Sequence, residues 1–165
     1  DIKSGELRHV VTREGSLKES PLVETSQFLD LLEARAPGSL VRAFEPIFML
    51  GALGESRFLI FKLSSFTIAF PGMLAWEAAL LEDLGPLIAP DVFLKVIPSA
   101  SVFFKDVIVR NKDVRMLAVE NATTSALSEL TLLYSFLDNE MLIITDRFET
   151  LQILIERLTR EKLSQ

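Results

Sequence analysis

The run that decides the fold is Thr131-Leu132-Leu133-Tyr134-Ser135-Phe136-Leu137-Asp138-Asn139-Glu140-Met141-Leu142-Ile143-Ile144-Thr145-Asp146-Arg147-Phe148. Two β-rich stretches, 130–137 and 140–145, flank Asp138-Asn139. Asp and Asn tolerate the left-handed backbone that a tight hairpin turn demands. The pattern then changes. Asp146, with Glu149 three residues on, has the spacing of a capping box. Phe148, Leu151, Leu154, Ile155 and Leu158 recur at helical spacing and predict one apolar stripe. This stretch therefore reads as hairpin, cap, helix.

Upstream, the same plan occurs again. Residues 47–53 and 57–63 read as strands about Gly54-Glu55-Ser56, and Ser64-Ser65 offers a cap. Across 66–84, Phe66, Ala69, Phe70, Met73, Leu74, Leu80, Leu81 and Leu84 predict a helix. Pro71 predicts a kink near Phe70 or a start at Pro71, and Gly85-Pro86 a stop. Two such units, 47–84 and 130–160, predict a pseudo-repeat. Each hairpin has an apolar face and each helix an apolar stripe. Laying both helices on one face of one sheet hides the most apolar surface. Phe58-Leu59-Ile60-Phe61 and Met141-Leu142-Ile143-Ile144 are continuous apolar runs. They predict central strands buried on both faces, or a second face that meets a partner.

The remaining segments fill in around this frame. A polar arm, 1–24, holds a strand at 6–12 and then a loop. Thr25 or Ser26 starts a helix with Phe28, Leu29, Leu31 and Leu32 inward, ended by Pro37-Gly38, and one further turn is expected over 39–44. Residues 102–109 and 113–119 read as a hairpin about Arg110-Asn111-Lys112, and 120–129 as a polar loop. The expected fold is α+β in a single domain spanning 1–165. Its mainly antiparallel sheet has about five to seven strands, with helices packed on one face.

Composition excludes several function classes. The chain has 165 residues, a length of about one domain. It contains no cysteine, so disulfides, thiolate nucleophiles and zinc–thiolate sites are excluded. The net charge of −6 and the lack of a basic cluster argue against nucleic acid and against adsorption to anionic lipid. There is no apolar run of membrane-spanning length.

No residue set carries recognisable chemistry. His9 is the only histidine and lies in the polar arm beside Arg8, so it reads as a plain strand residue. Glu77, Glu82, Asp83, Asp138 and Glu140 lack the spacing of a carboxylate pair or a calcium loop, and read as solvated faces and turn formers. Gly51, Gly54 and Gly72 make no phosphate cradle, and Ser64-Ser65 lacks a glycine elbow. The expectation is a chain that is not an enzyme, with no catalytic residues, no cofactor and no metal. Apolar excess is the feature to pursue. Residues 86–101 read as a loop broken by Pro86, Pro90 and Pro98, with room for one short helix or edge strand. Leu87, Ile88, Val92, Phe93, Leu94 and Ile97 form its candidate partner surface.

The stretches Phe58-Leu59-Ile60-Phe61-Lys62, Met141-Leu142-Ile143-Ile144-Thr145-Asp146 and Phe70-Pro71-Gly72-Met73-Leu74-Ala75-Trp76-Glu77 carry a resemblance. Over about residues 40–160 the chain resembles uncharacterised bacterial membrane-anchored proteins. In these, a short cytoplasmic tail and one transmembrane helix precede an extracytoplasmic domain of hairpin-helix repeats. The resemblance implies a location in the bacterial cell envelope, tethered by a segment upstream of Asp1. It brings no function and no site residues. The expected role is a non-catalytic protein-interaction or assembly domain that binds another protein chain or forms a homo-oligomer. The rival is a carrier of an apolar small molecule or lipid in a cavity between sheet and helices.

Overall fold

In the computed structural model, residues 7–10, 22–96, 100–119 and 131–164 are described. Among the described residues seven strands form one sheet: β1 (Leu7–Val10), β2 (Phe44–Leu53), β3 (Ser56–Leu63), β4 (Val102–Val109), β5 (Lys112–Val119), β6 (Leu133–Leu137) and β7 (Met141–Thr145). The helices are α1 (Thr25–Leu31), α2 (Gly38–Ala43), α3 (Phe66–Ile88), α4 (Pro90–Lys95) and α5 (Phe148–Leu163). The strand order is β1-β2-β3-β7-β6-β5-β4, and every neighbouring pair is antiparallel. The chain lays down one half of the sheet, crosses through α3 and α4 to the far edge, and returns strand by strand until β7 closes against β3.

The turns match their sequence signals. Asp138 and Asn139 both have positive φ, 51° and 58°, as do Arg110 and Asn111, 52° and 58°. Two successive left-handed residues give the backbone twist that suits a two-residue hairpin. The strand beginning at Phe44 is longer than the sequence reading. Its register against β3 shifts between Phe44 and Phe48, an irregularity that accommodates Pro46, which has no N–H for the ladder.

Alternation in β3 sorts the core into two layers. Leu59, Phe61 and Leu63 join Leu142 and Ile144 beneath α3, whose Ala69, Met73, Trp76, Leu80 and Leu84 cover them. Phe58 and Ile60 point the other way with Ile143, Leu133 and Val114, and meet Leu151, Leu154 and Ile155 of α5. Both faces of β3 and β7 are therefore covered. That explains why 58–61 and 141–144 are apolar without alternation.

The same observation corrects the expected layering. Helices α1 to α4 pack on one face, but α5 packs on the other. It also overturns the pseudo-repeat. Because β3 and β7 are antiparallel neighbours, turning one hairpin in the plane of the sheet brings its strands onto the other. The helix that follows then lies in front in one unit and behind in the other. No rotation superposes the two units, so strand–turn–strand–helix is a shared order with opposite handedness.

Helix α3 takes one of its two expected starts and runs past its expected stop. It begins at Phe66, and Pro71 lies within it. Thr67 and Pro71 are both exposed, so the carbonyl that Pro71 cannot bond faces water. At the far end Gly85 does not stop the helix. A Cβ there would lie 3.0 Å from Leu81 Cδ1 and 3.2 Å from Phe93 Cβ, so glycine is needed for α4 to fold back. Gly72 has the same kind of role against α2, where an added Cβ would meet Leu40 Cβ at 2.8 Å.

Candidate functional site

Five of the six residues expected to form a partner surface are described, and they separate in the structure. Pro90 is the first residue of α4, where its missing N–H is no loss. The turn brings the segment back onto α3. Ile88 and Val92 are thereby buried in the core, which corrects their assignment to a surface. Leu87 is half-buried. Phe93 and Leu94 remain exposed, Leu94 at 78%. Ile97 lies outside the described residues. Two exposed side chains on a six-residue helix do not make a contiguous surface.

A larger apolar surface lies on α3 itself. No residue from Leu63 to Trp76 is charged. The inward side of this run fills the core. Its outward side presents Thr67, Ile68, Phe70, Pro71, Leu74, Ala75 and Ala78 to solvent. Ile68, Phe70 and Leu74 are 47%, 43% and 39% exposed, high values for large apolar side chains spaced along one helix. The next outward position, Glu82, is the first charge on this face. Phe70 continues the surface sideways. Its ring lies 5.9 Å from that of Phe136 and 5.7 Å from that of Phe66, which meets Phe136 edge-on at 5.1 Å. The signal was present in the sequence: a helix apolar all round has more apolar surface than one core contact can hide. Reading only the three-and-four spacing grouped Phe70 and Leu74, exposed here, with the core residues and passed over Ile68, Ala75 and Ala78.

The polar side chains beside this face are paired with one another. Glu77, expected on a solvated face, is the centre of a partly buried network. Its carboxylate accepts from Arg115 Nε and Nη2, both at 2.7 Å, and from the Tyr134 hydroxyl at 2.6 Å. Arg115 also donates to Asp106 Oδ1 at 3.0 Å and to the Phe104 carbonyl at 3.3 Å. The bond to Glu77 holds the Arg115 pKa above its ordinary value. Burial, then the bond to Glu77, pushes the Tyr134 hydroxyl up from its ordinary value, so it stays a donor. The network ties α3 to β5 and β6. Further along α3, Asp83 accepts from Trp76 Nε1 at 2.8 Å and from the backbone N–H and Nε of Arg35, at 2.7 and 2.9 Å. Glu82 completes this pairing with Arg35 Nη2 at 2.5 Å.

At one end of the central strands, Asp146 is buried instead of capping α5. Arg147 takes the cap position, and Asp146 Oδ1 accepts from the Ser56 hydroxyl and, at 3.2 Å, from the Arg57 N–H. Thr145 Oγ1 donates to the Arg57 carbonyl at 2.7 Å. Burial pushes the Asp146 carboxyl up from its ordinary value. In this set the Ser56 hydroxyl donates its proton to Asp146. The set joins β3 to β7 where the two halves of the sheet meet. His9, on β1, pairs with Gly51 across the ladder to β2.

No protein-family model matches the chain, and comparison with curated proteins and with solved structures returns no match. Among the described residues, no helix is long and apolar enough to cross a membrane.

Proposed function

We propose that this chain is a non-catalytic protein-interaction domain that docks another protein chain on the outward face of α3. One observation carries the reading: that face exposes three large apolar side chains and no charge over about three turns. Exposed apolar surface of this kind, contiguous and rimmed by polar groups, marks interaction sites. The polar side chains around it support a scaffold role. Glu77 bonds Arg115 and Tyr134 and so ties α3 to the sheet, and Asp83 bonds Arg35 and ties it to the α1–α2 connection. A rigid helix face limits the ordering entropy that binding must overcome.

The reading is tested by placing a photo-crosslinking phenylalanine analogue at Leu74 in cells that make the protein. A second analogue at Ile108, 75% exposed on the far edge strand β4, serves as control. The expected result is a discrete crosslinked protein band from position 74 and none from 108. A lipid adduct from position 74, or no adduct, refutes docking of a protein on this face.

A further inference from the structure

We infer that the partner is a second copy of this chain, with α3 packed antiparallel against α3 across a two-fold axis midway between Ile68 and Ala78, beside Leu74. This inference rests on the reading of α3 as a protein-docking face. Its first support is the distribution of side-chain size along the helix. The first half of the outward face carries the large residues Ile68, Phe70, Pro71 and Leu74, and the second half only Ala75 and Ala78. A two-fold axis through the middle of the face sets the large half of one copy on the small half of the other. Knobs then meet hollows twice, by symmetry. A parallel two-fold pairing would set large on large and leave the alanine halves apart.

Charge is the second support. The face is uncharged until Glu82, so self-pairing brings no like charges together along the contact. Ahead of its start, Ser64, two residues before α3, donates its N–H to the Ala43 carbonyl at the end of α2 at 2.8 Å, next to exposed Arg42. Antiparallel pairing sets the Glu82 end of each copy beside the Arg42 region of the other. Glu82 keeps its pairing with Arg35 there, and Asp83 leaves that end one net negative charge, so the exposed Arg42 of the other copy meets an acidic end.

The other candidate for self-association is the edge of β4, and its charges oppose that role. A two-fold axis normal to the sheet pairs residues of the same face, so a residue at the centre meets its own copy. Lys105 and Asp106 occupy the middle of β4, one on each face. Pairing about either would set like charges directly opposite, as a guarded edge strand does. From Ile68 to Ala78 the α3 contact is roughly 15 Å long. A patch of that length sits at the small end of stable interfaces, so the dimer should dissociate in about the micromolar range.

The test is sedimentation equilibrium of the purified chain from about 1 to about 100 μM, alone and with Leu74→Glu, Ala78→Arg or Ile108→Glu. The expected result is a monomer–dimer equilibrium in the parent and in Ile108→Glu. The two α3 variants should weaken it at least about thirtyfold while melting as cooperatively as the parent. Because the chain has no cysteine, Leu74→Cys provides a test independent of charge. It should form an oxidised homodimer under mild oxidant, and Ile108→Cys should not. A parent that is monomeric throughout, or a dimer lost in Ile108→Glu but kept in Leu74→Glu, overturns the inference. The photo-crosslink at position 74 separates the two readings. A band at twice the chain mass supports both. A band of any other mass retains the docking face and refutes self-pairing.

Discussion

Glu77 offers the sharpest test of how this fold is held, because sequence places it on a solvated helix face and the structure places it in a network. Replacing it by alanine removes two charge-assisted bonds from Arg115 and leaves the buried Tyr134 hydroxyl without an acceptor. An orphaned buried hydroxyl costs about 1–3 kcal/mol. The ion pair is neither surface nor core, with side chains 22% and 15% exposed. Its loss therefore falls between the values for exposed and buried pairs, at about 1–2 kcal/mol. Together Glu77→Ala should cost about 3 kcal/mol. Tyr134→Phe alone should cost about 1 kcal/mol, since Glu77 keeps both bonds from Arg115. In the Glu77→Ala background the same change should cost nothing or stabilise, because the orphaned donor disappears. The cycle should close with a coupling energy of about 1–2 kcal/mol. Urea melts at neutral pH report it. The emission of Trp76, the single tryptophan and the residue before Glu77, is a buried probe on the same helix. A loss below about 0.5 kcal/mol for Glu77→Ala, or two mutations that simply add, would refute the network and restore the solvated-face reading.

Three further outcomes are expected. Leu154→Ala, in the layer beneath α5, should cost about 2–5 kcal/mol in denaturant melts; a loss under about 0.5 kcal/mol would mean that α5 does not cover the sheet. Gly72→Ala should destabilise by about 1–3 kcal/mol because its Cβ would lie 2.8 Å from Leu40 Cβ. Pairing it with Leu40→Ala should recover part of that loss, and a neutral Gly72→Ala would refute the close approach of α2. Asp146 has a folded-state pKa above its ordinary value of 3.8. The folded protein therefore holds that proton more tightly than the unfolded chain, and stability falls as pH rises from near that value through the raised pKa. Asp146→Asn, which keeps an acceptor for Ser56 and Arg57, should flatten this part of the melting-temperature profile against pH; an unchanged profile would show that Asp146 ionises normally.

Much of the architecture was legible locally. Each hairpin is set by its own turn residues, such as Asp138-Asn139, and each strand by a β-rich run a few residues long. The apolar continuity of 58–61 and 141–144 correctly marked the central strands, since only a strand covered on both faces can lack polar alternation. The stripe of α5 and the buried side of α3 follow from helical periodicity in the same way. These are short-range properties, and the sequence states them directly.

Which face a helix takes is not a short-range property. The stripe of α5 fits either side of a sheet whose central strands are apolar on both, and the placement of α3 to α4 on one side left the other open for it. That choice, made by the whole chain, destroyed the apparent repeat. Tertiary packing likewise decided the fate of individual residues. Ile88 and Val92 became core because α4 folds back over Gly85. Glu77 became a network centre because β5 and β6 bring Arg115 and Tyr134 from 38 and 57 residues away. The outward face of α3 became a surface because the elements packed against this helix meet its inward side. A sequence determines what each segment needs to bury; only the assembled sheet determines which of those needs stay unmet.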